Sequence, residues 1–477
     1  MVFSSLTFLT LFLPPVLLAA WGLAWLGAGK RWENGWLLAA SLFFYFWGEG
    51  WGVAWLAGNI LWNAACAAAM GRRDGPRWRK AWLAAAVGGD LAMLGWFKYA
   101  GWGVRTLNLL PGVSLPVPEV ALPLGISFYT FQAMSYAIDV YRREVPPARR
   151  WGDFACYVSM FPQLVAGPIV RYADVAAQLE GRSWRLEQVA SGLRRFLVGL
   201  AKKVLVANTV GAAADAAWGV LDGGGGLPAV LAWGAVACYT LQIYYDFSGY
   251  SDMAIGLGRM LGFEFKENFL HPYTATSVRD FWRKWHVSLS TWFRDYLYIP
   301  LGGNRKGAAR TAVNGLVVFA LCGLWHGASW MFLAWGLWHG LFLMLEKPRK
   351  GRAAPTGWRA LAGRVYALAV VGWGWVMFRS ETWGVAGRMA ASLVGLGAPG
   401  RESRALWAEV SPKLMLAMAA GAVLAAPVAE KARSAAWRIA PSWGASLAEW
   451  AWLTVLGAAS VLELAGGSYN AFLYFRF

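Results

Sequence analysis

The sequence predicts an all-α protein that crosses a membrane many times, and three observations carry that prediction. Hydrophobic residues fill 58% of the 477 positions and charged residues only 15%, whereas soluble domains carry about 25% charged residues. Apolar runs near or above the roughly 20 residues that span hydrocarbon recur along the whole chain. The basic residues behind the formal net charge of +18 are gathered in short loops between those runs, which is the pattern of cytoplasmic loops and not of a nucleic-acid-binding face. Open sheets cannot exist in lipid, so the runs are read as helices.

The runs are 6–26, 36–70, 81–100, 120–140, 154–170, 193–218, 228–247, 311–346, 364–379, 412–429 and 446–465. They predict about ten to twelve transmembrane or re-entrant helices in a single membrane domain over 1–477. The opening "MVFSSLTFLTLFLPPVLLAAW" has no basic n-region and no cleavage site with a polar flank follows it, so it reads as a retained helix and not a signal peptide. Basic loops stand at "RRDGPRWRK" (72–80), "RREVPPARR" (142–150) and "EKPRKGR" (346–352). Between the first two lie the runs 81–100 and 120–140, joined by a linker (101–118) whose only charge is Arg105; the chain therefore goes out and returns. "GGGG" (223–226) reads as a flexible loop. Cys66, Cys156, Cys238 and Cys322 lie in apolar runs without metal-ligand spacing and read as core packing.

Ionisable groups concentrate in a polar block, 239–346. Charges at membrane depth are costly and usually face an internal cavity. In "LQIYYDFSGYSDMAIGLGRMLGF" (241–263), Asp246 and Asp252 need partners: either both are structural, paired with Arg or backbone N–H, or one of them orients a histidine and fixes its tautomer. "RDFWRKWHVSLSTWFRDYLYIPLGGNRKG" (279–307) predicts an amphipathic helix with Arg283, His286, Ser290 and Arg294 on one stripe. It either lies in the interface or lines a water-filled funnel. "PLGGNRKG" (300–307) offers Arg305 and Lys306 after two glycines, either a phosphate cradle or, matching no P-loop fingerprint, a plain surface turn.

Two of the four histidines sit in "LWHGASWMFLAWGLWHG" (324–340). As one helix, 311–345 would run roughly 50 Å against a hydrocarbon core of about 30 Å, so a break is expected at "CGLWHGAS" (322–329). That places His326 at a lined site near membrane depth, either as a hydrogen-bonded structural histidine or as a neutral base that takes a proton from a hydroxyl attacking an acyl carbonyl. His339, thirteen residues on, points away and reads as structural. No serine elbow, HExxH metal site or kinase signature accompanies them, so no metal ligands are expected and direct acyl transfer fits better than hydrolysis by a covalent serine or by a metal.

These stretches resemble the membrane-bound O-acyltransferases, within them the branch that includes the membrane component of alginate O-acetylation. The resemblance runs through "LPLGISFYTFQAMSYAIDVYR" (122–142), "FPQLVAGPIVRY" (161–172), "YYDFSGYSDMAIGLG" (244–258), "FWRKWHVSLSTWFRDYLYIPLGGNRKG" (281–307) and "LWHGASWMFLAWGLWHG" (324–340), and thins beyond about 390. It implies a many-helix fold around a central funnel and tunnel, with His326 as general base and His286 as the second active-site histidine. Acetyl-CoA is the implied donor, with no bound cofactor. The implied role is to pass an acetyl group across a bacterial inner membrane for O-acetylation of a cell-surface polysaccharide such as alginate, cellulose or peptidoglycan, with an extracytoplasmic acetyltransferase as partner. Asp246, Arg294 and Arg305 are supporting substrate-site candidates. D-alanyl or other acyl transfer, and an export channel without chemistry, are the alternatives. The helices and aromatic tail after 390, ending "YNAFLYFRF", are candidates for partner choice.

Overall fold

The computed structural model describes residues 2–346, 355–439, 442–467 and 469–470. Most of the basic loop expected at 346–352 and the tail residues 471–477 lie outside the described residues. Among the described residues the elements are helices, no strand forms, and an isolated bridge joins Gly226 to Pro399. Among the described residues, six helices are long and apolar enough to cross a bilayer: Thr7–Trp25, Lys30–Arg72, Leu186–Asp222, Gly307–His326, Gly357–Arg379 and Trp443–Ala465. Pro412–Leu424 and Val428–Ala435, bent by 73°, make a seventh if they form one span. The number is lower than the count of apolar runs because several runs fold inside the protein. Run 120–140 becomes helix Ile126–Arg142, buried along nearly its whole length, and run 154–170 becomes the short helices Trp151–Ser159, buried from Phe154 onward, and Phe161–Leu164.

The chain packs as two compact units. In the unit formed by Met1–Phe196 and Ser251–Glu267, the N-terminal residues Phe3, Phe8 and Phe12 pack with Phe44 and Phe161 in a buried aromatic knot. Helices Val53–Arg72 and Pro76–Leu94 are joined by polar groups: Asn59 and Asn63 both donate to Asp90 Oδ1, at 2.7 and 2.8 Å. Gly192 and Gly256 let two backbones touch, since a Cβ at either would stand 2.6 Å from the other's carbonyl oxygen. Asp252, one of the two aspartates of the polar block, pairs with Arg195 at 2.6 Å.

The unit formed by Leu197–Tyr250 and Asn268–Phe477 is built around a buried and a half-buried ion pair and a large aromatic core. Lys203 and Asp246 meet at 2.7 Å with both side chains 2% exposed, and Asn208 accepts a further Lys203 hydrogen bond at 2.8 Å. Arg379 pairs with Asp215 at 2.7 Å. All four cysteines of the chain are buried and free.

Candidate active site

The apolar stretch after 307 does break where its glycines and serine suggested. Helix Gly307–His326 ends on the histidine, and Trp330–Leu345 begins after Ser329, whose hydroxyl accepts the Phe332 N–H at the new helix start. The two helices fold back on each other antiparallel. Gly323 lies against Gly336, and a Cβ at either would fall 2.1 Å from the carbonyl oxygen of Phe332 or Phe319. Small residues at that crossing are what allow backbone contact. His326 is therefore presented at the tip of a tight hairpin, 4% exposed, against the rings of Trp325, Trp335 and Phe378 at 4.9, 5.1 and 5.2 Å.

Residues 279–307 do not form the single amphipathic helix that their periodicity predicts. The segment divides into helices Val278–Lys284 and Val287–Phe293, with His286 between them in the left-handed region at φ 43°. The physical reason is a nonlocal backbone pairing. Leu270 N–H donates to the Lys284 carbonyl at 2.9 Å and Val287 N–H to the Asn268 carbonyl at 3.0 Å, satisfying groups that a continuous helix would have satisfied internally. The first helix is anchored at its start by the Glu346 carboxylate, which accepts the N–H groups of Val278 and Arg279 at 2.7 and 2.9 Å.

This turn fixes His286 chemically. Asn268 Oδ1 accepts the Ser288 backbone N–H at 3.2 Å and the Ser288 hydroxyl at 2.9 Å, so it is an oxygen and an acceptor. His286 Nδ1 lies 3.2 Å from the same atom and must donate to it. The neutral ring then carries its lone pair on Nε2, which is buried without a hydrogen-bond partner among the described residues. Phe247 closes one side of the ring at 4.6 Å, and Trp325 faces it at 6.1 Å while also packing on His326. Burial, with the His326 imidazole as the second cause, holds His286 well below the ordinary histidine range. The two expected histidines are thus electrostatic neighbours, and a proton on one disfavours a proton on the other.

The other candidates fall elsewhere. His339 is fully buried, receives the Trp282 indole N–H on Nδ1 at 3.4 Å and packs on Trp335 at 5.1 Å. Trp335 therefore stands between His326 and His339. A Cβ at residue 374 would come 2.5 Å from His339 Nε2, so Gly374 is what leaves room for the ring. Asp246 is held by Lys203, as described above. Arg294 does not share a stripe with His286: it is exposed and its guanidinium pairs with the neighbouring Asp295 at 2.6 Å. Arg305 is exposed in a turn where Asn314, buried beneath it, donates to the Leu301 and Gly303 carbonyls. Asn268 and Lys203 were not singled out from the sequence. Lys203 carried a signal, a charge inside the apolar run 193–218, whereas Asn268 looks like any loop asparagine.

Residues 150–380 match the membrane-bound O-acyltransferase (MBOAT) family. Over 409 residues the chain is 44% identical to a probable alginate O-acetylase of Pseudomonas putida, covering 83% of this chain and 81% of that protein. Over 427 residues it is 32% identical to a peptidoglycan O-acetyltransferase of Helicobacter pylori, covering 83% and 80%. The similarity to a teichoic acid D-alanyltransferase of Bacillus subtilis is more distant, 28% over 226 residues and 43% of this chain.

Proposed function

The chain belongs to the membrane-bound O-acyltransferase family, and from that premise we propose that it is an O-acetyltransferase of a bacterial inner membrane. It takes an acetyl group from acetyl-CoA and passes it outward for O-acetylation of a cell-surface polysaccharide, through a separate extracytoplasmic acetyltransferase. The similarity to two O-acetylating relatives over 83% of the chain supports acetyl over D-alanyl transfer, since the D-alanyltransferase relatives match over 43% and 47% of it.

The observation that carries the reading is the pair of buried imidazoles, one of which has its basic nitrogen fixed by Asn268. In the proposed step an acceptor hydroxyl oxygen attacks the thioester carbonyl carbon while His326 takes its proton. The carbon–sulfur bond then breaks and the proton passes to the departing thiolate. His286 Nε2 offers a lone pair to the attacking hydroxyl or to the imidazolium formed at His326. Because the two rings disfavour double protonation, the pair holds the one proton that the step requires. Aromatic side chains around both rings exclude water, which directs the acyl group toward the acceptor and away from hydrolysis. Arg305, exposed and cationic, is proposed to meet the anionic part of the donor.

Coenzyme A release by the purified chain in vesicles tests this. His326→Ala and His286→Asn, the latter chosen because asparagine tolerates the left-handed backbone, are expected to lower the rate by about 100-fold or more. His339→Ala is expected to act on stability. A wild-type rate from His326→Ala would remove the assignment.

A further inference from the structure

The acyl-transfer reading makes no use of the two basic loops at 72–80 and 142–150, yet the fold brings them together at one edge of the first unit. Arg79 does the joining. Its buried guanidinium donates to the carbonyls of Met70, Val140 and Tyr141 at 2.9, 2.7 and 3.0 Å, tying the end of helix Val53–Arg72 to the end of Ile126–Arg142. Pro147 lies over Gly71, close enough that a Cβ there would stand 2.8 Å from its ring. Arg143 reaches across to Asp74 at 2.9 Å.

With one arginine buried as the clamp, the others point outward. Arg73, Arg77 and Lys80 are exposed on the first loop, and Arg143, Arg149 and Arg150 on the second. The acids at this edge are too few to neutralise them: Asp74 is taken by Arg143, Glu144 lies 3.9 Å from Arg142, and Glu180 lies 4.0 Å from Arg149. Tryptophans accompany the charges. Arg73 sits over the Trp78 ring at 5.0 Å, Trp82 packs on Trp78, and Trp151, directly after Arg150, is 65% exposed. Helix Val53–Arg72 exposes Leu61 on its flank, about 16 Å of helix from Arg72, roughly the depth of one leaflet. Cations and indoles capping an apolar helix flank are the composition of a membrane interface.

We propose that this edge is a binding surface for anionic phospholipid headgroups, which the clamped loops hold in a fixed array. The lipid is preferred over a soluble anion because the cations border an exposed apolar helix flank, so a bound headgroup can keep its acyl chains against Leu61.

The test uses the full chain in neutral detergent, offered phosphatidylglycerol or phosphatidylcholine in mixed micelles, with retained lipid counted by native mass spectrometry. Wild type is expected to retain phosphatidylglycerol about tenfold better, and the combined variant R77Q/K80Q/R149Q/R150Q to lose that preference. The charge-keeping R77K/R149K/R150K guards against misfolding and is expected to keep it, as is the melting temperature of the glutamine variant in phosphatidylcholine alone to match wild type. No headgroup preference in wild type, or an unchanged preference in the glutamine variant, overturns the proposal. So does displacement of the lipid by millimolar pyrophosphate, which would give the surface to soluble phosphates.

Discussion

Asn268 holds His286 through a single oxygen, so its loss releases the ring without touching the ring itself. Asn268→Ala is expected to lower kcat about tenfold with the donor KM unchanged, because the lone pair is no longer confined to Nε2. The same burial makes a stability prediction. Above about pH 6.5 His286 is neutral in both folded and unfolded chains; below it the unfolded chain binds a proton that the folded chain excludes. Stability therefore falls as pH drops below 6.5, and His286→Asn should flatten that fall in melting curves. Asp246 is tested through its partner: Asp246→Asn removes a charge opposite the buried Lys203 and is expected to cost about 3–5 kcal/mol, while adding Lys203→Met should restore stability. If the double variant also regains activity, the pair is structural. The histidines were legible because polar residues in apolar runs announce themselves. Asn268 was not, since its role depends on a chain reversal eighteen residues away in sequence.

The hairpin that carries His326 depends on its crossing. Gly323→Ala would put a methyl into the Phe332 carbonyl, prying the helices apart. It is expected to destabilise the protein by about 1–3 kcal/mol and to lower activity together with the melting temperature. Gly374→Ala, which presses on the boxed His339 ring, should lower the melting temperature and leave kcat of the surviving fraction near wild type. The break at 327–329 was legible from a local argument, helix length against bilayer thickness and the placement of glycines and serine. The interruption at His286 was not. The periodicity of 279–307 favours one helix, and only the backbone pairing with residues 268–270 overrides it.

Across the molecule, composition and apolar runs identified a multi-pass helical membrane protein, and the ordered motifs identified its family. What they could not separate is burial in lipid from burial in protein. Ile126–Arg142 is apolar enough to resemble a span, yet its flanks are covered by other helices. In the proposed reaction one histidine of the repeated Trp-His-Gly tripeptide performs chemistry and the other shapes the core around it. The most direct measurement is the O-acetyl content of cell-surface polymer in a deletion strain complemented with wild type, His326→Ala or His339→Ala at matched membrane abundance. Wild type and His339→Ala are expected to restore acetate and His326→Ala to leave it absent. Full restoration by His326→Ala would show that the acetyl group moves without this histidine.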